Sequence, residues 1–175
     1  MNDNSLILCH EFTSPVGKLI LGTYNDKLCL SAWANATTLP TICSRLTKSL
    51  KTDIIYKETP MAVAAIDYLN RYFDGISTLI EDIPLLDIGS EFMQRVWHTL
   101  RTIPAGTTIS YRCLAERMGR PTSARAVARA IALNPLMIFY PCHRVIGTNG
   151  KLTGYAGGIE IKRQLLAIES QQTVQ

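Results

Sequence analysis

Over residues 1–57 the apolar positions fall in short runs broken by turn-forming residues, the rhythm of strands. Leu6 to Phe12, Lys18 to Tyr24 and Lys27 to Trp33 read as three strands separated by Ser14-Pro15-Val16-Gly17 and by Asn25-Asp26, so hairpins are expected. A helix around Thr41 to Leu50 and a strand at Asp53 to Lys57 follow. From Pro60 to Phe73 the period lengthens: Met61, Ala64, Ala65, Tyr68, Leu69 and Tyr72 share one side of a helix, and Gly75 is its stop. Residues 1–85 therefore read as a small α/β domain. The segment Ile76 to Gly89, which contains Pro84, is the expected boundary with a second domain at 86–175.

In that second part Ser90 caps a helix bearing Phe92, Val96 and Leu100 at four-residue spacing, with Trp97 beside them, closed by Pro104-Ala105-Gly106. Ser110 caps a helix from Tyr111 to Met118, and Gly119 supplies a turn. Thr122 or Ser123 then caps another helix that runs to Leu133, where Asn134-Pro135 stops it. Two short helices joined by a glycine-containing turn fit a helix-turn-helix, although αα-hairpins without any DNA function share the pattern. Along the second helix Ala124, Ala126, Ala128, Ala130 and Ala132 alternate with Arg125, Val127, Arg129 and Ile131. Such a surface lets a backbone approach a partner while long cations reach out; equally, alanine is the best helix former and packs tightly. The apolar run Leu136 to Tyr140 predicts a buried strand leading into Pro141-Cys142-His143-Arg144. Asn149-Gly150 marks a hairpin turn, and Gly154-Tyr155-Ala156-Gly157-Gly158 a small-residue loop with one aromatic. A last helix, Glu160 to Glu169, places Ile161, Leu165 and Ile168 on one face with Glu169 at the edge of the stripe. A carboxylate there reaches solvent or needs a partner such as a histidine.

Composition narrows the class. With 175 residues, 47% hydrophobic and 18% charged, the chain can bury a sizeable core and is not a disordered sequence. The formal charge of +4 is unevenly spread: residues 1–85 hold seven basic and nine acidic side chains, residues 86–175 eleven and five, and nine of those eleven are arginines. Arginine suits phosphate contacts and stacking, which makes nucleic acid the first partner to consider beside a plainly solvated basic face. Asp3 stands where a signal peptide carries basic residues, Leu6-Ile7-Leu8-Cys9 is too short for its apolar region, and no run approaches membrane-span length. The expected location is cytoplasmic, with no membrane partner. Five cysteines at irregular spacing (Cys9, Cys29, Cys43, Cys113 and Cys142) argue for free thiols. No pair has zinc-ribbon spacing and Cys9-His10 lacks identifiable co-ligands, so no metal is expected.

Cys142 carries the chemistry. A lone buried cysteine is commonly an inert small hydrophobe, and a free thiol with a pKa near ~8.5 is only slightly ionised at neutral pH. His143 and Arg144 beside it offer a base and a positive field. Successive side chains of a strand point to opposite faces, so Cys142 and His143 form no direct dyad while both are extended. Either Pro141 helps bend the chain or a water relays the proton.

Pro141-Cys142-His143-Arg144-Val145 resembles the active-site signature of the O6-alkylguanine-DNA alkyltransferases, also called methylated-DNA–protein-cysteine methyltransferases. Ile109-Ser110-Tyr111, Ala124-Arg125-Ala126-Val127, Asn134-Pro135, Gly154-Tyr155 and Leu165-Leu166-Ala167-Ile168-Glu169 fall in that family's order and approximate spacing, over about residues 90–169. The first 85 residues are similar mainly through Ser14-Pro15-Val16-Gly17-Lys18-Leu19. The resemblance implies an α+β protein: an N-terminal ribonuclease-H-like domain, then a winged helix-turn-helix domain. It implies a monomer that binds double-stranded DNA and moves an alkyl group from O6-alkylguanine irreversibly, once per molecule, onto Cys142, with O4-alkylthymine a further candidate substrate and no cofactor.

The same resemblance makes His143 the base acting through water and Glu169 the carboxylate that orients it. Tyr111 would hydrogen-bond the flipped base, Arg125 would enter the duplex where the base left, and Asn134 would tie the helix-turn-helix to the active-site turn. The carbonyls of Cys142 and Val145, the N–H of Ala156 and the ring of Tyr155 would line the guanine pocket; Ala156 replaces a serine of some relatives and leaves only the backbone contact. Some members carry an N-terminal zinc, whose Cys/His set is missing from the corresponding early positions here. Others form part of a larger regulator, whereas this chain, opening on the small domain, is expected to be free-standing. Three rival readings fit parts of the pattern: a cysteine hydrolase, a lesion binder without the acceptor cysteine, and a transcriptional helix-turn-helix. Cys142 argues against the second, and the Pro-Cys-His-Arg segment is unexplained by the third.

Overall fold

The computed structural model describes residues 5–76, 83–119 and 123–172. Three strands, β1 (Ile7–Ser14), β2 (Gly17–Tyr24) and β3 (Lys27–Trp33), form an antiparallel meander. Asn25 and Asp26 both adopt positive φ, 49° and 57°, as the primed turn of a tight two-residue hairpin requires. After helix α1 (Leu39–Leu50) the short β4 (Ile54–Tyr56) returns parallel to β1, giving the sheet order β3-β2-β1-β4. Helix α2 (Pro60–Phe73) starts at Thr59, whose side chain accepts from the Ala62 N–H, and buries Ala62, Ala65, Tyr68, Leu69 and Tyr72. The stripe keeps Ala65, Tyr68, Leu69 and Tyr72 of the expected face and adds Ala62, whereas Met61 is only partly buried and Ala64 is exposed. Part of the expected boundary, residues 77–82, lies outside the described residues.

The remainder is helical apart from two short strands. Helix α3 (Glu91–Leu100) and helix α4 (Tyr111–Arg117) are capped as the sequence predicts, by Ser90 and Ser110. Helix α5 (Ala124–Ala132) has Ser123 at its N-cap position but no side-chain capping bond; Thr122 lies outside the described residues. The Trp97 indole N–H donates to the Ala130 carbonyl at 2.9 Å, locking α3 to α5. Strand β5 (Ile109–Ser110) pairs in parallel with β6 (Val145–Ile146). Asn149-Gly150 does turn the chain, Gly150 having φ 74°, but no second strand follows it among the described residues. Helix α6 (Ile159–Gln172) ends the fold. No helix among the described residues is long and apolar enough to cross a membrane.

Two further expectations need correction. Leu136 to Tyr140 is buried as predicted, but it is a tight turn: the Tyr140 N–H donates to the Leu136 carbonyl at 2.7 Å and Ile138 is held at φ 75°. Its backbone groups are satisfied by Ser31 on the open edge of β3. The Ser31 N–H donates to the Pro135 carbonyl at 2.8 Å, the Met137 N–H to the Ser31 carbonyl at 2.7 Å, and the Ser31 hydroxyl to the Met137 carbonyl at 2.9 Å. Buried backbone must find partners, and here a turn docked on a sheet edge supplies them as well as a ladder would. The second correction concerns α6. Its buried stripe is Lys162, Leu165 and Glu169, while Ile161 and Ile168 are only partly buried.

One core therefore runs through both parts of the chain, from Trp33 and Leu69 to Trp97 and Phe139. Tyr68 of α2 stacks on Phe139 with ring centroids 5.0 Å apart. Trp33, at the end of β3, also faces Gly157, where an added Cβ would sit 2.3 Å from the indole. A methyl cannot fit without moving a fully buried ring, so Gly157→Ala should cost about 1–3 kcal/mol. Urea unfolding should show a lower midpoint at unchanged slope; a midpoint equal to wild type would mean that the loop yields freely.

Candidate active site

Cys142 opens a single 3-10 turn, Cys142–Arg144, that follows the Leu136–Tyr140 turn. Pro141, at φ −75° and ψ 65°, bends the chain into it, so Cys142 and His143 are not successive residues of an extended strand. The Cys142 N–H donates to the Tyr140 carbonyl at 2.7 Å, and the Val145 N–H closes the turn on the Cys142 carbonyl. Asn134, fully buried just after α5, holds this geometry. Its side-chain N–H donors reach the Tyr140 carbonyl at 2.8 Å and the Cys142 Sγ at 3.3 Å, and its Oδ1 accepts from the Leu136 N–H at 2.9 Å.

Only 3% of Cys142 is exposed, at the wall of a cavity of about 290 Å³. Tyr111, Gly154, Tyr155 and Ala156 line it on one side, Ala128, Ile131 and Ala132 of α5 on another, and Thr37 and Thr38 from the β3–α1 connection close a third. The Tyr111 hydroxyl donates to the Gly154 carbonyl at 3.2 Å, and the Tyr155 hydroxyl accepts from the Trp33 indole N–H at 2.9 Å. Small residues leave the space that the two rings border. Arg125 is exposed on α5, one turn before Ala128, and does not line the cavity. Val145 is buried outside it, its carbonyl accepting from Lys162 Nζ at 2.5 Å.

Behind the cysteine lies a buried charge network, with His143 and Glu169 fully enclosed. The His143 Nε2 is 2.6 Å from Glu169 Oε1. Arg144 donates from Nε to Oε2 and from Nη2 to Oε1, both at 2.9 Å, and from Nη1 to the Ile103 carbonyl. The Tyr72 hydroxyl donates to Oε1 at 2.9 Å and the Gly106 N–H to Oε2 at 3.2 Å. Burial alone would raise the Glu169 carboxyl, but the bonds and charges of His143 and Arg144 hold it far below the usual carboxylate range. An ionised carboxylate only accepts, so His143 carries its proton on Nε2. Its Nδ1 is then the basic nitrogen, and it has no hydrogen-bond partner among the described residues. Burial lowers the affinity of His143 for a second proton, against the pull of Glu169. Burial likewise pushes the Cys142 thiol up, opposed by the Asn134 hydrogen bond and the Lys162 charge. The resting pair is thus a neutral thiol and a neutral imidazole.

Arg144 does not supply the field at the thiol; its guanidinium is spent on Glu169. That part falls to Lys162, which the sequence reading passed over. It is fully buried, donates to the Val145 and Thr153 carbonyls at 2.5 and 2.9 Å, and is lowered by burial to about 8. Tyr72 belongs to the apolar stripe that the sequence predicts, and that pattern gives no sign of the role of its hydroxyl. No group of three metal-ligating side chains converges among the described residues.

Residues 91–171 match the family described as 6-O-methylguanine DNA methyltransferase, DNA binding domain. A methylated-DNA–protein-cysteine methyltransferase of Mycobacterium leprae is 39% identical over 170 residues, which is 97% of this chain and 96% of that one. A protein of the same name from Mycolicibacterium paratuberculosis is 50% identical over 119 residues, 67% of this chain and 72% of its own. Among solved structures, Mycobacterium tuberculosis OGT in complex with DNA superposes with a TM-score of 0.80 at 40% identity, over 94% of both chains.

The network's energetics are testable apart from any reaction. Because the folded-state value of Glu169 is depressed, its stabilisation is full above the unfolded value of about 4.3 and is lost as the pH falls through the folded one. Glu169→Gln should destabilise the protein by about 3–5 kcal/mol at neutral pH, since it strands the Arg144 charge. In urea unfolding at several pH values the gap between wild type and variant should narrow below about pH 4. A gap independent of pH would show that no ionised Glu169 supports the fold.

Proposed function

The chain belongs to the methylated-DNA–protein-cysteine methyltransferase family, and we propose that it repairs double-stranded DNA by moving the alkyl group of O6-alkylguanine onto Cys142. The observation that carries this reading is the placement of the thiol: Cys142 lies at the wall of a cavity lined by Tyr111 and Tyr155, backed by a neutral histidine. O4-alkylthymine is a second substrate of the same chemistry. We read residues 1–85 as a ribonuclease-H-like domain and 86–175 as a winged helix-turn-helix domain, the protein acting as a cytoplasmic monomer.

In this mechanism His143 Nδ1 takes the thiol proton through a water, and Glu169 stabilises the imidazolium. The Cys142 sulfur attacks the alkyl carbon, a thioether forms, the carbon–O6 bond breaks, and guanine leaves with the electron pair. Burial keeps the Tyr111 proton in place, so its hydroxyl can donate to the charge on the leaving base. Asn134 and Lys162 stabilise the sulfur while it is anionic. Nothing in the site is arranged to cleave a thioether, so each molecule reacts once. Reaching O6 inside a duplex requires extruding the nucleotide, at about a few kcal/mol. On this reading Arg125, exposed at the start of α5 beside the small Ala128, fills the gap left in the stack.

Intact-protein mass spectrometry after mixing with an O6-methylguanine duplex should show one added methyl per chain on Cys142, with a plateau at one equivalent. Cys142→Ser should abolish transfer and leave DNA binding nearly intact; repeated turnover by wild type would overturn the stoichiometric mechanism.

Arg125→Ala should slow single-turnover repair of a duplex strongly and reaction with free O6-benzylguanine little, because a free base needs no extrusion. A phosphate-contacting role would instead weaken binding and lower the salt slope by about one. Equal losses on both substrates would move Arg125 into the base pocket or the fold.

A further inference from the structure

The acid-base pair of the C-terminal half is completed from the other half of the chain. Tyr72 sits in the last turn of α2, 4% exposed, and its hydroxyl donates to Glu169 Oε1 at 2.9 Å while lying 3.4 Å from His143 Nε2. Oε1 thus accepts three donors at once: His143 Nε2 at 2.6 Å, the Tyr72 hydroxyl, and Arg144 Nη2 at 2.9 Å. Donors on one oxygen compete for the same charge. The Tyr72 phenol, raised well above its ordinary range by burial and by Glu169, keeps its proton at every working pH and is a permanent donor. Unlike Arg144, it contributes no charge of its own to the pair.

We propose that Tyr72 is a positioning residue: its hydroxyl, delivered by α2 to Glu169 Oε1, sets how strongly that carboxylate pulls on the His143 imidazole. This rests on His143 being the base in the reaction described above. A base that must start neutral loses activity wherever its carboxylate partner binds the proton too tightly. The groups that face His143 are Glu169 and Lys162 of α6, Arg144 and Cys142 of its own turn, and Tyr72 of α2. Of these, the Tyr72 hydroxyl can be removed without changing a charge or a ring. Tyr72→Phe keeps the edge-to-face contact with Phe73, whose centroid lies 5.3 Å away, and removes only the donor.

The test is the pH dependence of the single-turnover rate of the full chain with free O6-benzylguanine, from about pH 5 to pH 9, the range in which an imidazole titrates. In Tyr72→Phe the freed charge on Oε1 strengthens the hold on the His143 proton, so the acid limb should move up by about half to one pH unit. The loss of rate should be several-fold on the acid side and much smaller toward the alkaline plateau. A fluorotyrosine at position 72, a stronger donor of nearly the same shape, should move the limb the opposite way and covers the case in which the Phe variant folds poorly. An unmoved limb in both variants, or a uniform loss of rate at every pH, overturns the proposal and leaves Tyr72 a packing residue. A wild-type profile that has no acid limb, with transfer to Cys142 intact, overturns the base assignment and this proposal together. A wild-type limb that ignores both substitutions overturns the Tyr72 proposal alone.

Discussion

The structure is organised around one buried negative charge. Glu169 has no exposed surface, and an ionised carboxylate in a protein interior is tolerated only when donors replace its water. Here they come from three regions of the chain: α2 through Tyr72, the turn after α3 through Gly106, and the active-site turn through His143 and Arg144. No local rule could assemble them. The charge therefore obliges α6, the Cys142 turn and α2 to occupy fixed relative positions, and the same requirement fixes the tautomer of His143. A structural constraint and a chemical one are met by the same atoms.

Contacts from the N-terminal half reach the candidate site at three further points. Ser31 supplies both backbone groups and its hydroxyl to the turn that precedes Cys142. Trp33 donates to the Tyr155 hydroxyl and packs on Gly157, so the aromatic wall of the cavity is held from β3. Thr37 and Thr38 complete the cavity lining. The sheet of the first half is thus the support on which the reactive turn and its pocket are set, and its edge strand is linked to the cysteine through the Pro135-Leu136 peptide and Asn134.

Much of this was legible in the sequence because it is local. Strands β1 to β3, the bounds of α2, and the Ser90 and Ser110 caps follow from period, turn residues and capping chemistry, each decided within a few residues. The Leu136 to Tyr140 run was misread because an apolar stretch reports burial and not backbone path; the partner that makes a turn affordable, Ser31, is a hundred residues away. Lys162 and Tyr72 were missed for the converse reason. A lysine on a helix reads as solvated and a tyrosine in an apolar stripe reads as core, and both habits fail when an opposing charge is buried beside them. A signal was present in α6, where Lys162, Leu165 and Glu169 lie at spacings of three and four, putting opposite charges and a leucine on one face. For Arg144 the sequence gives the neighbourhood and not the partner, because adjacency to Cys142 in sequence carries no information on where a long side chain ends.

On the proposed reaction, this arrangement separates charge only when it is needed. Burial keeps Cys142 protonated and His143 neutral at rest, so the site carries no exposed thiolate to oxidise or to react with stray electrophiles. When the proton moves, both products are already provided for. The thiolate meets the Asn134 amide at 3.3 Å and the field of Lys162, and the imidazolium meets Glu169 at 2.6 Å. Stabilisers fixed before the transfer need not reorganise during it, which is where preorganised sites gain most over water. Because Lys162 also holds the Val145 and Thr153 carbonyls, the cation that favours the thiolate is pinned between the active-site turn and the loop carrying Tyr155. The position of the nucleophile's counter-charge is therefore coupled to the shape of the pocket that must receive the base.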